Sequence, residues 1–354
     1  MNTHPPGTAT SVVEDLTRQP HTDPTDIYRY RDGLYAVDLL SAAITGLDFF
    51  TWLAAHPADL TAICGALEIQ ERPTDVMLTL FTAMGLVRKQ GEVFELTEMA
   101  REHLTADSPW FLGPYYGALK ERPVCRDMLT VLRTGKPANW GSYKDEKAWA
   151  QAMEQPEFAR QFTAAMDCRG VYLGQAVAKQ LDLRNHHRLL DIAGGSGIYA
   201  CAITAQHPHL QATVLEKPPV DRIAAAAIEK RGCTGRVSVV ARDMFKDPFP
   251  ADCDVHLFSN VLHDWDVPVV KSLLAKSAQA LSAGGLIVVH DAHINADKTG
   301  PLPVASYSAL LMNITEGKCY SLGEMETFLS EAGFTGMIHT PTAADRSIVA
   351  ARKV

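Results

Sequence analysis

The sequence lacks several features that define common classes of protein. No block of lysine or arginine stands out along its 354 residues, and its formal net charge is −8, which argues against nucleic-acid binding. No apolar run approaches the roughly 18 residues that a transmembrane helix requires. The N-terminus has no basic segment followed by an apolar core, so no secretory signal is visible. These absences predict a cytoplasmic protein, and its length predicts two globular domains.

The cysteines form no pattern that suggests a metal site or a disulfide framework. There are seven, an odd number, at positions 64, 125, 168, 201, 233, 253 and 319, and no pair has zinc-finger spacing. We therefore expect reduced thiols and no bound metal. Hydrophobic residues make up 47% of the chain and charged residues 21%, which is ordinary for a globular protein.

The most informative motif is LLDIAGGSG at residues 189–197, followed by IYACAITAQ at residues 198–206. A strand, a glycine-rich turn and a helix N-terminus bring the backbone close to a nucleotide-like ligand. The glycines are needed because a Cβ would block that approach. The order G-G-S-G differs from the dinucleotide fingerprint, and Asp191 precedes the glycines. An acid there suits a ligand with a cationic amino group, such as S-adenosylmethionine (SAM), although such turns also serve packing alone.

Four further apolar segments follow the motif and alternate with helical stretches. The segments lie at residues 212–215, 237–240, 254–259 and 285–291, and two of the helical stretches lie at 221–231 and 267–281. This alternation predicts an α/β fold with a doubly wound, Rossmann-like, mostly parallel sheet. Ligands bind such sheets at the carboxyl ends of the strands. Six polar residues fall there: Asp191, Glu216, Asp243, Ser259, His263 and Asp291.

These strand-end residues suit a SAM site. Glu216 follows the second strand, where a carboxylate can accept hydrogen bonds from both ribose hydroxyls. Asp243 can accept from an adenine amino group, and Met244 can cover the ring face. Taken singly, each acid is more often a helix cap or a solvated loop residue. Their occurrence at consecutive strand ends favours SAM binding by Asp191, Gly194, Gly195, Gly197, Glu216, Asp243, Met244 and Ser259.

His263 is the candidate catalytic residue, because it follows the fourth strand within reach of a bound methyl donor. An ordinary histidine pKa near 6.5 leaves the ring largely neutral at pH 7, so it can take the proton of an attacking hydroxyl. Asp291, on the neighbouring strand, is expected to hold the other ring nitrogen. Asp264 is predicted to cap the helix that follows. The alternative interpretation of His263 is a capping or buried structural histidine.

The first half of the chain predicts a smaller helical domain. Residues 1–24 are rich in proline, threonine and aspartate and predict a mobile tail. Residues 25–110 predict three short helices and a hairpin around Gly91, which together make a winged-helix module. Such modules often bind DNA, but this wing carries only Arg88 and Lys89, which favours packing or dimerisation.

Residues 111–180 predict a helical connector between this module and a SAM-binding domain at residues 181–354. The connector is unusually aromatic, and a subset of its side chains could line an apolar acceptor pocket between the domains. Met166 and Arg169, on the helix that leads into the SAM domain, are the candidate pocket residues.

Together these motifs resemble the plant-type and bacterial small-molecule O-methyltransferases, which include the caffeic acid, phenazine and anthracycline enzymes. The match covers about residues 28–354, including the winged-helix part and the sequence EMETFLSEAGF at residues 324–334. The resemblance implies a class I SAM methyltransferase domain and a homodimer interlocked through the N-terminal domain. It implies SAM contacts from Gly194, Glu216, Asp243 and Met244, and His263 as the general base for a small-molecule acceptor.

Three departures from the family pattern matter. Many plant members carry aspartate where Glu216 stands and lysine where Ser259 stands. They also carry a second acid beside the base, after a Gly-Gly-Lys turn. The matching segment here is EGKCYS at residues 316–321, with Cys319 in the place of the acid. We therefore expect one carboxylate to hold the base, and a pocket floor, including Asn313 and Cys319, unlike that of a phenylpropanoid enzyme.

Other functions stay open at this point. Some relatives methylate a carbon of 2-oxo acids with a metal held by a His-Asp pair and a second histidine. His263 and Asp264 would supply the pair, but the third position is Asn313, a poor ligand for a transition metal. His290 or His293 would then have to substitute. A relative that catalyses a rearrangement without methyl transfer and a SAM-responsive winged-helix regulator are the remaining alternatives.

Overall fold

The computed structural model describes residues 15–138 and 152–354. Residues 1–14 of the predicted tail and 139–151 of the predicted connector lie outside the described residues. Leu16 is only 5% exposed and packs in a core cluster with Leu173 and Val177. The predicted tail therefore does not extend to residue 24, because this apolar side chain is buried against the C-terminal part of the chain.

The N-terminal module consists of short helices followed by a hairpin. The helices are α1 (Thr25–Asp32), α2 (Ala36–Gly46), α3 (Phe49–Ala55), α4 (Leu60–Leu67) and α5 (Glu71–Ala83). The hairpin strands β1 (Val87–Gln90) and β2 (Val93–Leu96) precede α6 (Glu98–Leu104). Asp59 and Thr97 begin α4 and α6 by accepting hydrogen bonds from backbone N–H groups of the first turn. The hairpin lies where the sequence predicts it, around Gly91, but five helices precede it instead of the predicted three.

After α6, three more helices in the described part of the chain lead to the main sheet. They are α7 (Gly113–Gly117), α8 (Pro123–Thr134) and the long α9 (Pro156–Gln180). A proline in the first turn begins each of them, where the missing N–H costs no hydrogen bond. Helix α9 carries the chain from the cavity described below into the first strand of the sheet.

The main sheet has seven strands and confirms the predicted α/β fold. In chain order they are β3 (Arg188–Ile192), β4 (Gln211–Glu216), β5 (Val237–Ala241), β6 (Val255–Ser259), β7 (Leu286–Asp291), β8 (Phe334–Pro341) and β9 (Ser347–Lys353). Their order in the sheet is β5-β4-β3-β6-β7-β9-β8. The first five are parallel, whereas β9 is antiparallel to both β7 and β8. The sequence analysis does not predict β8 and β9.

Helices pack on both faces of this sheet. They are α10 (Ile198–Gln206), α11 (Val220–Lys230), α12 (Val267–Ala280), α13 (Leu302–Ile314) and α14 (Leu322–Glu331). Helix α13 differs from the others because its apolar side chains join the core of the N-terminal helices. It therefore forms a wall shared by the two parts of the molecule, beside the strand ends.

No single helix in the described part of the chain is both long enough and apolar enough to cross a membrane. The bent pair Thr25–Gly46 and Phe49–Ala55 meets these two criteria only when its helices are taken together. Many of the apolar side chains of this pair lie in the core of the N-terminal module, among them Leu39, Phe49, Phe50 and Leu53.

Candidate active site

A cavity of about 480 Å³ opens at the carboxyl ends of the parallel strands, between α9 and α13. Its size suits a ligand of the dimensions of a nucleoside together with a small aromatic molecule. The predicted site residues that line it are Met166, Arg169, Gly194, Gly195, Glu216, Asp243, Met244, Ser259 and His263. Residues that the sequence separates by almost 100 positions therefore share one wall.

The glycine-rich turn lines the cavity, but Asp191 does not. Its carboxylate lies directly beneath Gly194, where an added Cβ would come within 2.5 Å of the carboxyl carbon. Burial raises the pKa of Asp191 to about 7, although the backbone N–H of Ala200 acts to lower it. Asp191 does not line the cavity, because the backbone of the turn covers its side chain, so its direct contact with the ligand stays a prediction.

Gly197 has a packing role rather than the predicted role at the ligand. It begins α10 with φ +75°, in the left-handed region, and an added Cβ would lie about 3 Å from Ile228 and Val214. Glycine is therefore needed here to let α10 approach β4 and α11. Gly194, Gly195 and Ser196 form the part of the turn that lines the cavity.

Glu216 supports the turn and faces the same cavity. Its two oxygens accept hydrogen bonds from the backbone N–H groups of Gly195 (2.9 Å) and Lys217 (3.1 Å). Burial raises the pKa of Glu216 to about 7 in spite of these bonds. Each oxygen keeps a second lone pair, so the carboxylate can still accept from two ribose hydroxyls.

The end of β5 provides a setting suited to an adenine ring. Asp243 accepts a hydrogen bond from the backbone N–H of Phe245 at 2.9 Å. Partial burial acts to raise the pKa of Asp243, but this bond and Lys246 hold it below its ordinary value. Phe245 packs edge-on against Trp265, with the ring centroids 4.8 Å apart. Met244 also lines the cavity here, so this end of β5 offers one ionised acceptor among apolar and aromatic side chains.

His263 and Asp291 form the predicted pair. His263 lies in a short 3₁₀ turn, Leu262–Asp264, and its Nδ1 is 2.5 Å from Oδ1 of Asp291. The carboxylate also accepts from the backbone N–H of Ala292 at 2.8 Å. Burial acts to lower the pKa of His263, but Asp291 and Asp264 outweigh it and raise that pKa. Because Nδ1–H donates to Asp291, Nε2 is the ring nitrogen that can accept a proton.

Asp264 is a second carboxylate beside the histidine, not the predicted helix cap. Its Oδ1 lies 3.5 Å from Nε2 of His263, and its side chain lines the cavity. The cap of α12 is Asp266, which accepts from the backbone N–H of Val269 at 3.2 Å. Helix α12 therefore begins at Val267, two residues later than it would with Asp264 as its cap. The expectation that one carboxylate flanks the base is therefore wrong. Asp291 is hydrogen-bonded to Nδ1 of His263, and Asp264 lies near Nε2.

The turn that carries His263 is held by the loop after α13. The backbone N–H of Glu316 donates to the carbonyl of Asp264 at 3.2 Å, and Gly317 packs against the carbonyl of His263. A side chain at position 317 would collide with that carbonyl. Arg72 of α5 donates to the carbonyls of Gly317 (2.7 Å), Met312 (3.2 Å), Thr315 (3.3 Å) and Gly135 (2.9 Å). The N-terminal module thereby fixes the loop against which the base rests.

Asn313 and Cys319 do not line the cavity, contrary to prediction. Helix α13 turns one face to it, with residues 307, 310, 311 and 314 at the i, i+3, i+4, i+7 spacing of such a face. Asn313 lies off this face and is buried. Cys319 is buried behind α13, where its backbone N–H donates to Oγ of Ser308 at 3.1 Å.

The two histidines considered as metal ligands point to other partners. A ring nitrogen of His290 lies 3.1 Å from Oγ1 of Thr342, and one of His293 lies 2.8 Å from Oγ of Ser347. Neither joins His263 and Asp264 in a common ligand set. Across residues 15–138 and 152–354, no group of three or more His, Cys, Asp or Glu side chains is arranged to hold a metal ion.

Sequence reasoning missed several lining residues. Tyr199 accepts a hydrogen bond from Nδ2 of Asn260 at 3.0 Å, and Tyr307 packs edge-on against His263 with ring centroids 5.8 Å apart. Trp265, which packs against Phe245, is a further lining residue that the sequence analysis does not predict. Tyr307 has no signal in the sequence pattern, because α13 is apolar on nearly all sides.

Comparison with known proteins gives consistent matches. Residues 128–335 match the family model described as an O-methyltransferase domain. The chain is 31% identical over 313 residues to 3-hydroxy-5-methyl-1-naphthoate 3-O-methyltransferase of Streptomyces sahachiroi, covering 88% of this chain and 89% of that protein. It is 30% identical over 347 residues to the tetracenomycin polyketide synthesis 8-O-methyl transferase of Streptomyces glaucescens, covering 94% and 99%.

A solved structure matches almost the whole chain. It is an O-methyltransferase family 2 protein from Planctomyces limnophilus in complex with apigenin, with a TM-score of 0.88 and 33% identity. The alignment covers 97% of this chain and 99% of that one. The likeness therefore includes the N-terminal helices as well as the sheet.

Proposed function

Because this chain belongs to the O-methyltransferase domain family and is a SAM-dependent methyltransferase, we propose that it methylates a hydroxyl group of a small aromatic molecule with His263 as general base. The observation that carries the proposal is the His263–Asp291 pair, whose Nδ1–Oδ1 distance is 2.5 Å, in the wall of the cavity at the strand ends. A histidine oriented in this way keeps Nε2 available for the proton of an attacking hydroxyl.

The strand-end residues are proposed to hold SAM as follows. Glu216 accepts from the ribose hydroxyls, Asp243 and Met244 contact the adenine, and Gly194 and Gly195 lie along the methionine part. The unpartnered Oγ of Ser196 supports this arrangement, because it is a buried polar atom of the turn that a ligand would satisfy. Ser259, at the end of β6, completes the contacts.

The proposed chemistry is an in-line displacement. Bound SAM supplies an electrophilic methyl group on sulfur. Nε2 of His263 takes the hydroxyl proton while the acceptor oxygen forms its bond to the methyl carbon. The carbon–sulfur bond breaks and its electron pair stays on sulfur, which gives S-adenosylhomocysteine (SAH). Asp291 keeps Nδ1 protonated and stabilises the resulting imidazolium, and the surrounding residues contribute by orientation and by excluding water.

An aromatic phenol is the acceptor that the cavity wall supports best. The parts of the cavity wall that α9 and α13 form include five apolar side chains: Phe162, Met166, Leu310, Leu311 and Ile314. The relative from Streptomyces sahachiroi acts on a hydroxynaphthoate, and the structure from Planctomyces limnophilus contains apigenin. Both names describe hydroxylated aromatic compounds of secondary metabolism, so we propose an acceptor of this class.

We further propose a homodimer built by the N-terminal module at residues 25–110, which a connector at 111–180 joins to the SAM-binding domain at 181–354. The support is an exposed apolar stripe on α1 and α2. Ile27 and Tyr30 lie on α1, Leu34 lies in the turn that follows and Val37 lies at the start of α2, and all four are 51–81% exposed in the single chain. An exposed stripe of this kind is typical of a surface that packs against another protein, and the same module carries no basic patch for DNA.

Transfer of labelled methyl from SAM to a panel of hydroxyaromatic compounds tests the proposed function. We expect label in a product ether, together with one equivalent of SAH. SAM binding without transfer to any hydroxyl would contradict it. A structural change in the acceptor without label would indicate a rearrangement enzyme, and a SAM-dependent shift of DNA in a gel would indicate a regulator.

A further inference from the structure

The hydroxyl group of Tyr307 is a hydrogen-bond donor without an acceptor in the wall of the cavity. Tyr307 lies on α13, lines the cavity and is only 3% exposed. Its oxygen accepts one long hydrogen bond, 3.4 Å, from Nη1 of Arg169. Across residues 15–138 and 152–354, no atom accepts a hydrogen bond from this hydroxyl. A buried donor without a partner is costly, so the O–H is available to a ligand.

This hydroxyl is a neutral donor at physiological pH. Burial acts to raise the pKa of Tyr307, and it outweighs the charges of Arg169 and Arg346, so the pKa stays above its ordinary value near 10. Donation from the charged Arg169 to the oxygen polarises the O–H bond and strengthens it as a donor. Such a group suits an uncharged oxygen of a ligand, as in a carbonyl, a hydroxyl or an ether.

The ring of Tyr307 is fixed by contacts that do not involve its hydroxyl. The guanidinium of Arg346 lies over the ring, with Cζ 4.5 Å from the centroid, and Arg346 itself pairs with Asp32 at 2.6 Å. The ring is nearly perpendicular to that of His263, with the centroids 5.8 Å apart. Removal of the hydroxyl alone therefore leaves the packing around the proposed base in place.

Tyr199 is a second tyrosine of the cavity, but it lies elsewhere. It belongs to α10, directly after the glycine-rich turn, and its ring packs against His290 with the centroids 5.6 Å apart. Tyr199 is therefore on the side proposed for the cofactor, whereas Tyr307 contacts His263. Of the two hydroxyls, that of Tyr307 is the one beside the reacting group of an acceptor.

We propose that the Tyr307 hydroxyl donates a hydrogen bond to an acceptor oxygen that neighbours the reacting hydroxyl, and thereby selects acceptors with a carbonyl at that position. His263 and Tyr307 line one cavity with their rings in contact. An acceptor whose hydroxyl reaches Nε2 of His263 therefore brings the adjoining position of its own ring close to Tyr307. The inference rests on the proposed function, because it takes His263 as the base.

The donor also has a chemical use in the proposed reaction. A carbonyl beside a phenolic hydroxyl holds the hydroxyl proton in an internal hydrogen bond, where a general base cannot easily remove it. A hydrogen bond from Tyr307 to the carbonyl oxygen replaces that internal bond. The hydroxyl is then free to donate to Nε2 of His263, so Tyr307 acts on both the binding and the rate of such acceptors.

Two isomeric probes test this selectivity. In 2-acetyl-1-naphthol the carbonyl lies beside the hydroxyl, and in 4-acetyl-1-naphthol it lies across the ring. Calorimetry measures the binding of each to enzyme saturated with SAH. We expect Tyr307→Phe to weaken binding of the 2-acetyl isomer about three- to tenfold, as for one neutral hydrogen bond, and to leave the 4-acetyl isomer within about twofold. Tyr115→Phe, at a tyrosine that is 79% exposed on α7, should bind both as wild type does.

Single-turnover methyl transfer from labelled SAM gives a second readout. In Tyr307→Phe the rate with the 2-acetyl isomer should fall by a larger factor than the rate with the 4-acetyl isomer, because the proton returns to the internal hydrogen bond. A packing role alone would lower both rates by the same factor.

Three outcomes overturn the inference. Equal losses for the two isomers in Tyr307→Phe would indicate a contact with the reacting hydroxyl itself or a packing role. Unchanged binding of both isomers would show that the hydroxyl has no part in acceptor binding, and so would a wild-type enzyme that binds only the 4-acetyl isomer. Methyl transfer to 4-acetyl-1-naphthol by wild type tests the proposed function separately, since that isomer has no oxygen beside its hydroxyl and the binding measurements require no transfer.

Discussion

His263 is subject to opposing electrostatic effects at a single imidazole. Burial and the charge of Arg169 lower its pKa, whereas Asp291 and Asp264 raise it, and the raising effects prevail. Burial also acts to raise the pKa of Asp291, but the charge and the hydrogen bond of His263 outweigh it and lower that pKa to about 2. Asp291 is therefore ionised throughout the working range, and within this pair His263 is the residue that gains and loses the proton.

This arrangement sets the pH dependence of the reaction. A general base must be neutral, so the rate of methyl transfer should rise with pH to a midpoint above the ordinary histidine value of about 6.5. In Asp291→Asn the carboxylate that favours the imidazolium is gone, so the midpoint should move to lower pH while the plateau rate falls. Single-turnover rates between pH 5 and 9 measure both quantities. A midpoint that moves to higher pH in Asp291→Asn would contradict the proposed pairing.

Glu216 supports the glycine-rich turn and is also the proposed acceptor for the ribose hydroxyls, so its replacement should affect cofactor binding in two ways. Glu216→Ala removes the proposed ribose acceptors and the acceptor for the N–H of Gly195. We expect SAH binding to weaken by at least about 1.5–3 kcal/mol, the usual contribution of a hydrogen bond to a charged group. Glu229→Ala, at an exposed position of α11, should bind SAH as wild type does. Calorimetry checks both variants, and unchanged affinity in Glu216→Ala would refute the ribose assignment.

For single residues, the sequence predicts well which polar side chains lie at strand ends, but it predicts poorly which of them are exposed to the cavity. Glu216, Asp243 and His263 follow apolar strands, and parallel strands bring such positions to one edge. Asp191 follows the same pattern but is covered by the backbone of its own turn. Whether a turn exposes or covers an acidic side chain depends on which of its residues have left-handed backbone angles and on what packs beneath it. Neither can be inferred from the spacing of residues in the sequence.

At the scale of elements, the link between α5 and the loop after α13 is the least expected feature. Arg72 binds carbonyls of this loop, and the loop in turn contacts the carbonyls of His263 and Asp264. Nothing in the local sequence around Arg72 indicates a partner more than 200 residues away. The position of the proposed base is therefore set partly by the N-terminal module.

This link predicts separate effects on stability, catalysis and cofactor binding. Arg72→Met leaves several carbonyls without a donor, so the free energy of unfolding should fall by about 1.5–3 kcal/mol or more. The kcat should fall because the turn at residues 262–264 loses its support, whereas the Kd for SAH should not change, since the strand-end residues do not contact Arg72. Arg88→Met, which removes an exposed pair with Glu95, should cost less than about 1 kcal/mol. Denaturant melts and steady-state kinetics provide these values; an unchanged kcat would contradict the link.

The sequence predicts secondary structure best where its apolar residues form a clear pattern along the chain. The inner parallel strands β3, β4, β6 and β7 have nearly continuous apolar runs, because such strands are covered on both faces. Strand β8 lies at the edge of the sheet and is largely exposed, so its sequence has no comparable run. Helix α13 is apolar on nearly all sides, since it packs against both parts of the molecule, and it therefore lacks an amphipathic signal.

For the whole molecule, the exposed stripe on α1 and α2 leads to a prediction about assembly. Sedimentation at micromolar concentration should give about twice the mass of one chain. Replacing Tyr30, which is 81% exposed, together with Val37 by aspartate should yield a monomer, because charges would be buried at the interface. The matched change Val93→Asp, on the exposed hairpin, should leave the mass unchanged. A wild-type monomer under these conditions would contradict the proposed dimer.

The central claim is that His263 accepts the proton of a hydroxyl that SAM methylates, and single-turnover transfer from labelled SAM by His263→Ala tests it most directly. We predict unchanged SAH binding and a rate lower by about 10²- to 10⁴-fold, the usual contribution of a positioned base. The loss should shrink as the pH approaches the pKa of the acceptor, and His56→Ala, at an exposed histidine, should match wild type. Chelators should have no effect. Full sensitivity of the wild-type enzyme to chelators would instead indicate metal-assisted methylation, and an unchanged rate in His263→Ala would contradict the claim outright.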